Sequence, residues 1–121
     1  KEFQEFGWWF VSLLLDKEWV IEQLMRTLQF THGVIHPFDH VIEKLRIFVS
    51  DYPTETVTCL DLIVRVDKEG WNITFKKDDI KEIIRIVQES NNEKARGLAS
   101  DLADYLISKG YYDFRSLLPP G

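Results

Sequence analysis

A chain of 121 residues is long enough for one domain that buries roughly two thirds of the surface its unfolded form exposes, so folding requires neither disulfides nor a metal. Its 45% hydrophobic and 29% charged residues are the composition of an ordinary packed domain and exclude a disordered or low-complexity chain. Twenty acidic against 15 basic residues leave a formal net charge of -5, which opposes a phosphate backbone and disfavours DNA or RNA as a partner.

The first amphipathic segment covers roughly residues 2 to 15, with Phe3, Phe6, Phe10, Leu13 and Leu14 on one helical stripe. Trp8, Val11 and Leu15 give it a second apolar face, and a helix apolar nearly all round is buried on both sides. The chain opens on Lys1, so the expectation is the C-terminal piece of a longer protein, in which Trp8, Val11 and Leu15 meet an upstream repeat. In isolation that face would either drive weak self-association through this helix or be sheltered by the C-terminal tail. The longest apolar run, Trp8 to Leu15 broken by Ser12, is far short of the roughly 20 residues that cross a bilayer, so no membrane partner is expected.

Asp16 suits the N-cap of a second helix, whose stripe of Val20, Ile21, Leu24, Met25 and Leu28 runs toward a stop near Gly33. A third helix, 37 to 51, carries Phe38, Val41, Ile42, Leu45, Phe48 and Val49. Residues 53 to 68 hold a β-branched run that would also suit a strand. The polar positions decide for a helix: Thr58, Asp61, Arg65 and Lys68 recur at helical intervals and leave Val57, Leu60, Ile63 and Val64 on the opposite face.

The stretch EGWNITF then reads as a longer, locally extended connection with Trp71 and Ile73 tucked under the helices. Asp79 and Glu82 resemble a capping box for a fifth helix bearing Ile80, Ile83, Ile84 and Val87. Asn91 or Asn92 caps the sixth, where Ala95, Ala99 and Ala103 beside Leu98, Leu102 and Leu106 permit a close neighbour, and Gly110 stops it after Lys109. The tail, YYDFRSLLPPG, adds a turn or two of helix closed by Pro119 and Pro120.

Paired in order, the second members of each helical pair begin near Asp16, Pro53 and Asn91, offsets of about 37 to 38 residues. The expected fold is therefore all-α: three stacked antiparallel hairpins in a HEAT/armadillo-like α-α superhelix, forming a single domain over 1 to 121, with a plain six-helix bundle as the alternative. FGWWF at 6 to 10, Asp16-Lys17-Glu18-Trp19 followed by Glu22-Gln23-Leu24, Gly70-Trp71-Asn72-Ile73 and Gly110-Tyr111-Tyr112-Asp113-Phe114-Arg115 carry a further signal. Together they resemble the extreme C-terminal helical segment of large, mostly uncharacterised bacterial proteins, some with a nucleotide-binding module far upstream. The resemblance implies a HEAT-like architecture and carries over no catalytic residue. No P-loop glycine pattern occurs in the chain, so any nucleotide chemistry of such proteins would lie elsewhere.

The histidines all lie in THGVIHPFDH, with His32, His36 and His40 evenly spaced and Asp39 beside them. A metal site or small metal-dependent enzyme could be built on them, but Gly33 and Pro37 break the helix, so the spacing does not put them on one face. His32 suits the negative end of one helix dipole and Asp39 the positive end of the next, so the loop reading is preferred and no cofactor is expected. Trp8, Trp9, Trp19 and Trp71 read as core aromatics more than as a ligand pocket.

Cys59 is the lone cysteine. It excludes an intramolecular disulfide, favours a reducing cytoplasm and reads as an inert core thiol. For the same reason the sequon Asn72-Ile73-Thr74 carries little weight. The pairs Asp78-Asp79 and Asp101 with Asp104 sit where capped or solvated helix faces put acids, so no enzyme is expected. The candidate partner surface is the stripe Thr58, Asp61, Arg65 and Lys68, joined on the same side by Glu22, Gln23 and Arg26 and by Arg96, Ser100 and Asp104. A protein partner or upstream repeats of the same chain would occupy it. Nucleic-acid binding, as in some HEAT-like folds, is the remaining alternative.

Overall fold

The computed structural model describes residues 17 to 32, 38 to 67 and 70 to 117. Six helices occupy them: α1 Lys17–Thr31, α2 Phe38–Phe48, α3 Pro53–Val66, α4 Trp71–Phe75, α5 Lys77–Gln88 and α6 Glu93–Ser108, followed by a 3₁₀ segment, Tyr112–Leu117. No strand occurs among the described residues, so the all-α class holds. The first predicted helix with Trp8, Val11 and Leu15, the cap at Asp16, and Gly33, His36, Pro37 and Lys68 lie outside them.

The β-branched stretch in α3 is helical, as its polar spacing requires. Pro53 opens the helix where its missing N–H is no loss, and Thr58 Oγ1 donates to the Thr54 carbonyl at 2.8 Å, so that hydroxyl is satisfied inside the helix. Val57, Cys59, Leu60, Ile63 and Val64 are then fully buried. The reason is position: α3 packs against α1, α2, α5 and α6, and α2 and α5 also pack on each other. A helix with neighbours on so many sides gains more from burying branched apolar side chains than it loses in helix propensity.

Boundaries depart from the sequence reading in three places. α2 stops at Phe48 and not at 51: Tyr52 N–H bonds the Phe48 carbonyl at 2.8 Å, and Tyr52 is kept out of helical conformation by the proline after it. EGWNITF is not extended, because Trp71 to Phe75 form the short helix α4. Asp67 Oδ2 accepts the Ile73 N–H at 2.8 Å, and Ile73 is 2% exposed, so a cap six residues upstream and one buried isoleucine hold this turn in place. The Asp79/Glu82 capping box does not form. α5 begins at Lys77, Asp79 bonds Arg46 of α2 at 2.9 Å, and Glu82 pairs with Arg85. Asp78 and Asp79 remain in the first turn, where they favour the dipole.

α6 follows its sequence signals closely. Asn92 Oδ1 accepts from Ala95 N–H at 2.9 Å, while Ala95, Ala99, Leu102, Ala103 and Leu106 are buried. Gly110 takes φ +101 at the C-terminus, and Tyr111 N–H closes on the Leu106 carbonyl at 3.0 Å. The 3₁₀ segment folds back on the end of the α5–α6 pair, sinking Phe114 completely and pairing Asp113 with Lys77 at 3.1 Å and Lys81 at 2.7 Å. Trp19, expected in the core, is 50% exposed on α1. It lies off the stripe of Val20, Ile21, Leu24 and Leu28 that α1 buries.

Candidate interaction surface

Asp61 and Arg65 stand one turn apart on the outer side of α3 and pair at 2.8 Å, with Thr58 a turn earlier. The Arg65 guanidinium lies 4.4 Å from the centre of the Tyr105 ring of α6, and the Lys109 ammonium sits 5.6 Å from the same ring. Two cations against one aromatic ring, with Asp61 pairing with one of them, make a polar cluster that spans α3 and the end of α6. Tyr105 and Lys109 were not legible as members of this surface from α3 spacing. The signal that could have found them is their own one-turn separation on α6, next to the small buried face of Ala99 and Ala103.

The other predicted members divide. α1 packs beside α3 and exposes Glu22 and Arg26, with Gln23 half-buried. Arg96, Ser100 and Asp104 do not join the Arg65 cluster. Ser100 Oγ accepts from Gln88 Nε2 of α5 at 2.9 Å, whereas Tyr105, beneath Arg65, is five residues on and about 140° around the helix. α6 therefore turns one flank to α3 and the opposite one to α5, and the single surface expected from sequence is split by α6 itself. Lys68 lies outside the described residues.

Of the histidine region, His32 and His40 lie among the described residues. His32 closes α1 in the left-handed region at φ 57, the place expected of Gly33, and its side chain is exposed. His40 Nδ1 stands 3.4 Å from Glu43 Oε1, and Glu43 also receives the Lys76 ammonium, whose hydrogen bond, ahead of His40, holds that carboxyl below its ordinary range. Among the described residues no three His, Cys, Asp or Glu side chains converge as metal donors.

Cys59 is buried, and desolvation, with the nearby Glu55 charge second, pushes its thiol far up; it lacks the thiolate character of a nucleophile. Asp101 and Asp104 are exposed. Among the described residues no helix is long and apolar enough to cross a membrane. Compared with protein-family models, curated proteins and solved structures, the chain has no significant match.

Proposed function

We propose that the chain is a non-enzymatic helical-repeat module of a cytoplasmic bacterial protein that offers a polar face to a protein partner. The observation that carries this reading is the neighbourhood of α3, which has α1 on one side and α6 on another while α2 and α5 pack together. Stacked antiparallel hairpins have this pattern, with the second helices of successive hairpins side by side and the first helices likewise. In such a stack the outer side of the second helices forms a continuous binding face, and here it carries Asp61, Arg65, Tyr105 and Lys109, flanked by Glu22 and Arg26 on α1.

The test is a photo-crosslinking residue introduced singly at Arg26, Asp61 and Arg65, with Ser50 in the α2–α3 turn as control. Arg26, Asp61 and Arg65 should each yield an adduct with one and the same protein, and Ser50 none. Equal adducts at all four positions, or none at any, would overturn the reading.

A further inference from the structure

The two flanks of α5 are filled by different kinds of element. Asp79 reaches Arg46 of α2 at 2.9 Å, whereas Lys77 and Lys81, two residues before and after it, reach Asp113 of the 3₁₀ segment at 3.1 and 2.7 Å. Residues two apart on an α-helix point about 160° away from each other, so α2 and the 3₁₀ segment lie on opposite sides of α5. In a stack of hairpins the row of first helices would run through α2 and α5 to the first helix of a following hairpin. The segment Tyr112–Leu117 stands in that next place.

Its sequence suits the position. A 3₁₀ helix has three residues per turn, so Phe114 and Leu117 share one side, with Tyr111 in line just before it. Phe114 is fully buried, and Tyr111 and Leu117 are half-buried against the core. Tyr112, Asp113, Arg115 and Ser116 are exposed, with the Arg115 guanidinium 5.5 Å from the centre of the Tyr112 ring. Gly110, at φ +101, turns the chain out of α6 so that the segment lies back on the helices instead of prolonging one. One row of apolar side chains is thus turned inward and a polar row outward, which is what the end of a helical stack needs in order to stay soluble.

We propose that residues 111 to 117 are an end cap: they close the flank of α5 and α6 on which a further hairpin would pack, and so keep that flank from pairing with a second copy of the chain. Charge and shape name this occupant. With the cap lifted, the apolar socket that Phe114 fills would be bordered by Lys77 and Lys81, both released from Asp113, on a chain of net charge -5. A second copy offers the acidic surface that complements those lysines, and helices of the kind that such a flank receives in a stack. The proposal rests on the stacked-hairpin reading but uses a surface other than the Asp61, Arg65 and Tyr105 cluster.

Two variants of the full chain test it. Asp113→Lys loosens the cap without touching its anchor. The Phe114 N–H, which bonds the Tyr111 carbonyl at 3.3 Å, should then exchange its hydrogen about fivefold faster, as loss of two exposed ion pairs implies, while the amides of Ile84 and Leu102 keep their rates. Phe114→Ser unseats the cap. That protein should keep its helical circular dichroism, bind the dye anilinonaphthalene sulfonate, and in sedimentation dimerise about tenfold or more tightly than the unsubstituted chain, with exchange protection gained on α5 and α6. Should it fail to fold, Leu117→Ser, at a half-buried position, takes its place with the same expected results.

Unchanged exchange at Phe114 in Asp113→Lys, or equal acceleration at Phe114, Ile84 and Leu102, would overturn the proposal. So would loss of the helical signal in both serine variants, a folded one that dimerises no more tightly than the unsubstituted chain, or a dimer whose protection lies outside α5 and α6. If the adducts at positions 61 and 65 form while these measurements fail, the cap alone falls and the module reading stands.

Discussion

Tyr111 Oη donates to the Gly70 carbonyl at 3.2 Å, tying the loop after α3 to the end of α6 across 41 residues of chain. Gly70 is buried at φ +79, and a Cβ there would run into the same Tyr111 oxygen. Two independent penalties thus fall on any side chain at this position, the left-handed backbone and the collision. Gly70→Ala should destabilise the fold by about 2 kcal/mol or more, and Tyr111→Phe by about 1 kcal/mol. The double variant should lose less than the sum, since phenylalanine lacks the atom that a Cβ meets. Urea denaturation of the four proteins decides it; strict additivity would mean that the two residues do not meet in solution.

How much of this was legible in the sequence depends on the range of the interaction that fixes each element. α3 and α6 were readable because their signals are local: polar spacing in one, and Asn92, the alanine-leucine face and Gly110 in the other. α4 was not, because it is fixed by Asp67 reaching Ile73 and by the Gly70–Tyr111 pair, and no window of neighbouring residues contains both. The capping box at Asp79 failed for a similar reason, since Arg46 from 33 residues away takes that carboxylate. The partner surface was half legible. Spacing identifies the outer side of each helix, but only packing decides that Ser100 faces α5 while Tyr105 faces α3.

Thr56 is fully buried in α3, and its Oγ1 has no hydrogen-bond partner. A hydroxyl in that state has lost its water and gained nothing in exchange. Thr56→Val keeps the branched shape and replaces the oxygen with a methyl group, so it should stabilise the fold by about 1 kcal/mol. The check is an increase in the urea midpoint with an unchanged slope. A decrease would show that the hydroxyl is bonded in solution.

Asp113 anchors the 3₁₀ segment, and the Lys81 hydrogen bond, followed by that of Lys77, holds its carboxyl down at about 2 from an ordinary 3.8. A carboxylate whose folded value lies below its unfolded one contributes stability above the unfolded value and loses it as pH falls through the folded one. The contribution of Asp113 should therefore be complete above about pH 4 and vanish between there and about pH 2. Asp113→Asn should flatten the stability profile in that window and leave its shape at neutral pH unchanged. Because the carboxylate and both lysines are substantially solvent-exposed, high salt should shrink the difference. A difference between the two proteins that grows toward neutral pH would contradict the assignment.

Cys59 offers a direct reading of how closed the centre of the fold is. It lies on α3 among Val57, Leu60, Ile63 and Val64, fully buried, and burial raises its thiol above the ordinary value of 9.0. Alkylation proceeds through the thiolate, so the folded protein offers neither access nor the reactive form. Iodoacetamide should label Cys59 only through unfolded molecules, and addition of urea below the transition should accelerate labelling in step with the unfolded population. The same raised value predicts an alkaline effect of fixed sign. Above about pH 9 the unfolded chain ionises its thiol while the folded chain does not, so stability present below that pH is progressively lost as pH rises. Cys59→Ala removes the titrating group and should flatten that alkaline limb, although the cavity it leaves lowers stability at every pH. Rapid labelling under native conditions would show that α3 opens locally, and would remove the argument that its branched residues are held helical by burial on several sides.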